Sequence, residues 1–232
     1  MNRKYKYLLW DIDDTLIDFK ASQNIALQQC FTDYGIVLTQ KDIQVYNTIN
    51  KGYWRRLEEG TIEKSVMLQQ RFQDFIQYLS VDGLSAKDIN TTFQVCIGES
   101  AVLYEGAYEL CLDAKSLVQQ YVITNGTRIA QEIKLRQTGL DQVLDGIFIS
   151  DDVGYQKPDI RFFQHVELHI PNFKKEEALV IGDSLTSDMQ GANGAGIDCC
   201  WFNPQGKVRE EHGIVIHYEI QSLEEVRHII RL

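Results

Sequence analysis

Four short apolar runs, each cut off by small polar or acidic residues, constrain this chain more than anything else in it. They are Tyr7-Leu8-Leu9-Trp10 before Asp11, Tyr121-Val122-Ile123 before Thr124-Asn125-Gly126, Ile147-Phe148-Ile149 before Ser150-Asp151-Asp152, and Ala178-Leu179-Val180-Ile181 before Gly182-Asp183. An unbroken apolar run has no polar face to turn to water. That suits a strand covered by helices on both sides, as in a parallel sheet. Cys199 to Phe202 is a further run of this kind, and Ile214-Val215-Ile216 is a weaker one that would extend the sheet. Between the runs the spacing turns helical. Asp159 to Leu168 sets Ile160, Phe163 and Val166 on one side, and Ser187 to Ala195 follows the last polar turn. The pattern predicts an α/β fold without fixing the order of its strands.

One stretch breaks the alternation. From Asp18 to about Leu103 no run reads as a strand, and the apolar spacing is helical throughout. Leu68, Phe72, Phe75, Ile76 and Leu79 form one stripe; Ile89, Phe93, Cys96 and Ile97 form another behind a helix start at Ser85-Ala86-Lys87-Asp88. An earlier helix, Ala21 to Tyr34, stops at Gly35, a C-terminal cap. A crossover between parallel strands needs only one helix, so this is an inserted all-helical domain with a small core of its own. The expected division is residues 1–17 and 104–232 for the sheet domain and residues 18–103 for the insertion. Hinges are expected near Ile17 to Lys20 and Val102 to Gly106.

Composition removes several function classes. Lys and Arg total 23 against 33 Asp and Glu, a formal charge of −10. A protein that coats long nucleic acid needs a basic stripe, so that role is excluded. A small phosphorylated ligand is not, because it feels the local field and not the net charge. No apolar stretch approaches the roughly 20 residues that span a bilayer. The basic start, Asn2 to Lys6, runs too soon into Asp11, Asp13 and Asp14 to read as a signal peptide. Five cysteines with no CxxC spacing point to reduced thiols and a cytoplasmic setting, with Cys199-Cys200 inside a buried strand.

Ligands of open α/β sheets bind at the carboxyl ends of the strands. Here those ends carry Asp11, Asp13, Thr124, Asn125, Gly126 and Asp183, and the loop after the third run adds Lys157. Each has an ordinary explanation alone: a strand ending in Asp can cap the next helix, and Thr-Asn-Gly is good turn chemistry. Together they complement one another in charge at one sheet edge. Asp11, Asp13 and Asp183 would repel unless a divalent cation joined them, and oxygen ligands favour Mg²⁺. A carboxylate attacking a phosphate dianion meets like charge, which the metal on one side and Lys157 on the other would relieve. Thr124 and the backbone N–H groups near Asn125 and Gly126 could hold the other phosphoryl oxygens. Asp188 could orient Lys157 or a metal-bound water, or simply favour the start of a helix.

The order Asp11-x-Asp13-x-Thr15, Thr124-Asn125-Gly126, Lys157-Pro158 and Gly182-Asp183 with Asp188 resembles the four motifs of the haloacid dehalogenase superfamily of phosphohydrolases. The resemblance covers nearly the whole chain and implies a Rossmann-like core with a helical cap. It also implies that Asp11 becomes an aspartyl-phosphate and that Asp13 protonates the leaving alcohol and then activates water. Mg²⁺ would bind Asp11, Asp183 and the backbone carbonyl of Asp13, while Thr124 and Lys157 would hold the phosphoryl group. Asp13 favours phosphate-ester chemistry over dehalogenation.

The stretch Asn47 to Trp54, with Glu59-Gly60 and Gln70-Arg71-Phe72, is similar to the cap of bacterial pyrimidine 5′-nucleotidases. That likeness implies a nucleoside monophosphate substrate. Tyr53, Trp54 or Phe72 could stack a base, and Asn50, Gln70 or Arg71 could bond its edge; alternatively the aromatics belong to the cap core. Two other readings share the core motifs: a sugar-phosphate or phosphoglycolate phosphatase or mutase, and a phospho-acceptor signalling module. The second acid and the helical insertion speak against the last.

Overall fold

The computed structural model describes residues 4–208 and 213–232, so Asn2 and Arg3 of the basic start lie outside the described residues. The chain divides into two compact units, one of residues 1–19 and 101–232 and the other of residues 20–100.

Among the described residues, the first unit holds one six-stranded sheet. Its strands are β1 (Tyr7–Trp10), β2 (Gln119–Thr124), β3 (Gly146–Ile149), β4 (Ala178–Gly182), β5 (Asp198–Phe202) and β6 (Tyr218–Ile220). They stand in the order β3-β2-β1-β4-β5-β6 with every neighbouring pair parallel. The apolar runs sort their side chains by twos. Leu8, Trp10, Val122, Leu179, Ile181, Cys200 and Phe202 enter one core, and Tyr7, Leu9, Ile123, Val180, Cys199 and Trp201 enter the other. Both faces are therefore dry, and each Leu or Val so buried stabilises the sheet by about 1.5–3 kcal/mol. This is the physical reason the runs lack alternation.

The helical unit contains α1 (Phe19–Thr32), which starts at the end of the first unit, then α2 (Gln40–Glu58), α3 (Lys64–Leu79) and α4 (Ala86–Glu99). Thr39 and Asp42 form a capping box at the start of α2, and Ser85 caps α4 by accepting the Asp88 N–H. Tyr46, Phe72, Phe75 and Phe93 pack ring to ring inside it, with centroids 5.2–5.8 Å apart. In the first unit the sheet is flanked by α5 (Ala107–Ala114), α6 (Arg128–Thr138), α7 (Ser150–Val153), α8 (Ile160–His169), α9 (Gln190–Ala195) and α10 (Val226–Ile230). Among the described residues, no helix is long and apolar enough to cross a membrane.

The two chain crossings at the unit boundary lie side by side. Ile17 bridges Leu103, the Asp18 N–H donates to Val102 O at 2.8 Å, and the Tyr104 N–H donates to Leu16 O at 3.0 Å.

Three details depart from the sequence expectation. Ile214 to Ile216 is not a strand; the sixth strand is Tyr218–Ile220. The backbone of Val215 is satisfied instead by a side chain, since Asn193 Oδ1 accepts its N–H at 2.7 Å and Asn193 Nδ2 donates to its carbonyl at 2.9 Å. In α8 the buried face is Phe162, Phe163 and Val166, while Ile160, one residue after the Asp159 cap, is exposed. The helix expected from Ser187 is α9, preceded by a wide π-type turn over Leu185–Met189.

Candidate active site

The chain runs from β1 outward to β2 and β3, then returns to lay β4 on the other side of β1. Loops from β1 and β4 thus leave the same sheet edge in opposite senses, and the crevice of such a sheet opens at this switch point. Asp11 stands there. Its N–H continues the ladder by donating to Ile181 O at 2.8 Å, so the residue is held as rigidly as the strand before it.

Lys157 organises the centre. Its buried ammonium donates to Asp11 Oδ1 at 2.7 Å, to Asp188 Oδ1 at 2.6 Å and to the Ile123 carbonyl at 2.7 Å, which uses all three of its protons. Burial works against the charge, but the two carboxylates outweigh it and hold the lysine above its ordinary pKa. The backbone of Lys157 is placed by Asn125, whose Oδ1 accepts the lysine N–H and whose Nδ2 donates to the lysine carbonyl, both at 2.9 Å. Asn125 therefore spends its amide on Lys157. The N–H of Gly126 likewise turns back, donating to Thr124 Oγ1 at 3.0 Å.

Asp188 completes the lysine's setting. Its second oxygen accepts the Ser184 N–H at 3.2 Å, and the carboxylate lies directly over Gly182. A Cβ on Gly182 would sit 2.3 Å from Asp188 Oδ2, so the glycine is required by this close approach.

Asp11, Asp183 and Asp188 each bring an oxygen within 4.8 Å of the others. Both oxygens of Asp188 already have donors, whereas the carboxylate of Asp183 accepts no hydrogen bond from a described residue. Burial first, then the neighbouring acids Asp11 and Asp188, push Asp183 well above the usual carboxylate range. Burial also raises Asp11 to about 7, with Lys157 opposing and Asp188 adding to the shift. Carboxylates this close, Asp11 and Asp188 buried and the half-buried Asp183 without a donor, fit a hard divalent cation held by Asp11 and Asp183.

Asp13 stands apart from this cluster. Its Oδ2 accepts from Gln131 Nε2 at 2.7 Å, and its Oδ1 is paired with the ammonium of Lys134. Asp14, in a left-handed conformation with φ of 60°, accepts the Phe19 N–H at 3.2 Å. Burial, then Asp13 and Asp18, raise its pKa to about 6.

The sequence pattern brought Asp11, Thr124, Asn125, Lys157, Asp183 and Asp188 to one edge but passed over Asp14, Gln131 and Lys134. The available signal was on α6. Ala130, Gln131, Lys134 and Leu135 fall on one buried stripe that holds two polar residues where apolar ones are usual.

Within the helical unit, Phe72 is fully buried against Tyr46 and Phe93 and is a core residue of that unit. Gln70 is exposed. Tyr53 is buried and donates to Asp74 at 2.7 Å, and the indole N–H of Trp54 is buried with no partner among the described residues. Arg71 is buried too, with neutral acceptors: Asn50 Oδ1 at 2.7 Å and Asn90 Oδ1 at 3.0 Å. Asn50 in turn donates to Gln23 at 2.6 Å.

Known proteins resemble this chain along nearly its whole length. A model of the haloacid dehalogenase-like hydrolase family matches residues 5–196. The chain is 36% identical to the HAD-hydrolase YfnB of Bacillus subtilis, over 99% of this chain and 97% of that one. A crystal structure of YfnB, described as bound to magnesium, matches with a TM-score of 0.93 over 99% of this chain and 100% of that one. Identity is 34% to the pyrimidine 5′-nucleotidase PynA of Streptococcus pneumoniae, covering 96% of this chain and 91% of that one. It is 29% to the pyrimidine 5′-nucleotidase YjjG of Escherichia coli, with 98% of each chain covered.

Proposed function

The chain belongs to the haloacid dehalogenase-like hydrolases, and from that membership we propose that it is a Mg²⁺-dependent phosphatase of pyrimidine nucleoside 5′-monophosphates. The observation that carries the chemistry is the unequal engagement of the two oxygens of Asp11. Oδ1 is held by Lys157 at 2.7 Å, while Oδ2 has only the Thr15 hydroxyl at 3.4 Å. Oδ2 is the nucleophile.

In the first step Oδ2 of Asp11 forms a bond to phosphorus as the bond to the ester oxygen breaks. Asp13 gives its proton to the departing nucleoside oxygen. In the second step Asp13 takes a proton from water, the hydroxide attacks phosphorus, and the bond to Asp11 breaks, releasing phosphate. Lys157 balances the charge of Asp11 and the phosphoryl group, and Asp188 and Asn125 keep it in place. Thr124 lies at the carboxyl end of β2, beside β1, to hold a phosphoryl oxygen. Asp11 and Asp183, with the Asp13 carbonyl, would hold Mg²⁺, which would supply the further positive charge that phosphoryl transfer requires.

The pKa positions of the acids set how the metal binds. Asp11, raised to about 7, and Asp183, raised well above its ordinary value, must lose protons to act as ligands. Mg²⁺ affinity measured calorimetrically should therefore rise with pH from about 6 to 8, with proton release visible as a dependence on buffer ionisation enthalpy. An affinity flat over that range would mean that these acids do not bind the ion.

The nucleotide assignment rests on the two relatives named pyrimidine 5′-nucleotidases, which align over nearly the whole chain, helical unit included. A panel of phosphate esters tests it. UMP, dUMP and dTMP should be hydrolysed with kcat/KM at least about tenfold above sugar phosphates and phosphoglycolate, a difference of ~1.4 kcal/mol in transition-state binding. Better turnover of the sugar phosphates would assign the chain to that chemistry. A stable phosphoprotein without turnover would make it a phospho-acceptor.

A further inference from the structure

The proposed reaction explains Asp11, Lys157, Asp183 and Asp188, but not why a buried lysine and a buried glutamine converge on Asp13. Lys134 is 1% exposed, and among the described residues Asp13 is its ion-pair partner. The ammonium also lies 5.1 Å from the centre of the Phe19 ring. Gln131 is buried one turn earlier on the same face of α6. Its Nε2 donates to Asp13 Oδ2, and its Oε1 is buried with no partner among the described residues. Burying an ammonium and an orphaned carbonyl costs stability, and packing alone would favour apolar residues at both positions.

A second feature shows that the loop is shaped around this glutamine. Gly126, the last residue of the Thr124-Asn125-Gly126 turn, has Gln131 pressed over it. A Cβ there would lie 1.9 Å from Gln131 Nε2. Any larger residue at position 126 would push the amide off Asp13. The glycine is thus explained by contact with Gln131, and its own N–H is turned to Thr124.

We propose that Lys134 and Gln131 are positioning residues for Asp13, a two-point holder on α6 that grips both carboxylate oxygens and fixes the angle at which Asp13 meets the leaving oxygen and the attacking water. This rests on the reading of Asp13 as the acid and base of the reaction. Each donor takes one oxygen, so the carboxylate cannot spin about its Cβ–Cγ bond while both hold. The amide is neutral, so it holds Oδ2 without adding a second ammonium charge that would disfavour the protonated acid needed in the first step.

The test separates steps that need Asp13 from steps that do not. A nucleoside leaving group must be protonated, whereas p-nitrophenolate leaves with little help. Lys134→Met should lower kcat for UMP about 10–100-fold with KM changed less than about threefold, the cost of a misplaced acid. Phosphoenzyme formation from p-nitrophenyl phosphate in a single turnover should change less than about threefold, and the phosphoenzyme should persist longer. Gln131→Met, which removes both polar ends at similar volume, should act in the same direction and serves if Lys134→Met does not fold. In an Asp13→Asn background, Lys134→Met should cost no further activity, because the two act as one unit. Equal losses on both substrates, or an undiminished cost in the Asp13→Asn background, would overturn the positioning role alone. Full activity of Asp13→Asn on UMP would remove the acid–base reading and this proposal with it.

Discussion

Asp11→Asn should abolish turnover of every phosphate ester, with kcat reduced by about 10⁴-fold or more, the scale seen when a covalent nucleophile is removed. An amide nitrogen or carbonyl has no comparable nucleophilicity. The substitution keeps the shape of the side chain and its N–H to Ile181, so the protein should melt near the wild-type temperature. It also removes a charge that Lys157 now shares with Asp188. Stability should change little, because the lysine keeps Asp188 and the Ile123 carbonyl. Loss of activity with retained fold is the expected combination, read by phosphate release and by thermal melting. Retention of activity would mean that water attacks phosphorus directly.

Lys157→Met has the second largest expected effect, and it acts on both function and fold. Removing the positive charge that balances Asp11 and a transferring phosphoryl group costs about 10²–10³-fold in kcat. Unlike Asp11→Asn, it also leaves buried Asp11 and Asp188, with the half-buried Asp183 beside them, without the ammonium that pairs the first two. Breaking a buried pair in this way destabilises by about 3–5 kcal/mol. The loss should depend on pH. In the wild type the raised Lys157 pKa contributes stability throughout the neutral range, fading only as pH climbs through the folded value. In the variant the carboxylates can take up protons to relieve the repulsion, a relief present at acid pH and withdrawn as pH climbs; without the opposing lysine the Asp11 proton is lost above the wild-type value of about 7. The melting temperature of Lys157→Met without divalent cations should therefore fall further below wild type at pH 8 than at pH 5. Added Mg²⁺ should recover part of the difference by mass action. A pH-independent deficit that Mg²⁺ does not touch would show that the lysine is not balancing these acids.

What the sequence disclosed, and what it hid, follows from how far each contact reaches along the chain. Strand ends were legible because Tyr7 to Trp10 and Ala178 to Ile181 are apolar on both faces and stop at an acid. The helical stripes were legible because Phe72, Phe75, Ile89 and Phe93 face their own small core. Ile214 to Ile216 looked like a strand by composition, but Asn193 captures the backbone of Val215, and the true edge strand has Glu219 at its centre, exposed to water. No local pattern announces a captured backbone. Ile160 belonged to the apolar spacing of its helix yet sits in the first turn, where Phe162 takes the buried place.

The same distance limit applies to the site. The charge complement of Asp11, Lys157 and Asp183 could be inferred because all three terminate or follow strands that the fold brings to one edge. The partners of Asp13 lie 118 and 121 residues away on a helix side that ordinary reasoning assigns to apolar packing. Gly126 looked like a turn glycine; it and Gly182 are places where a polar side chain crosses over the backbone, Gln131 in one case and Asp188 in the other. These two glycines mark close approach more than backbone freedom.

An excess of ten negative charges is compatible with the proposed phosphate binding because the charges are balanced locally. The acids at the centre are paired with Lys157 or placed to share a cation, so an anion can be met without any basic surface. That account stands or falls on the covalent step. Acid quench during turnover of UMP, followed by proteolysis and mass spectrometry, should find one added phosphoryl group on the peptide containing Asp11, on the carboxylate of that residue and absent in Asp11→Asn. Turnover that leaves every carboxylate unmodified under conditions that trap acyl phosphates, or a phosphoryl group on another residue, would contradict it.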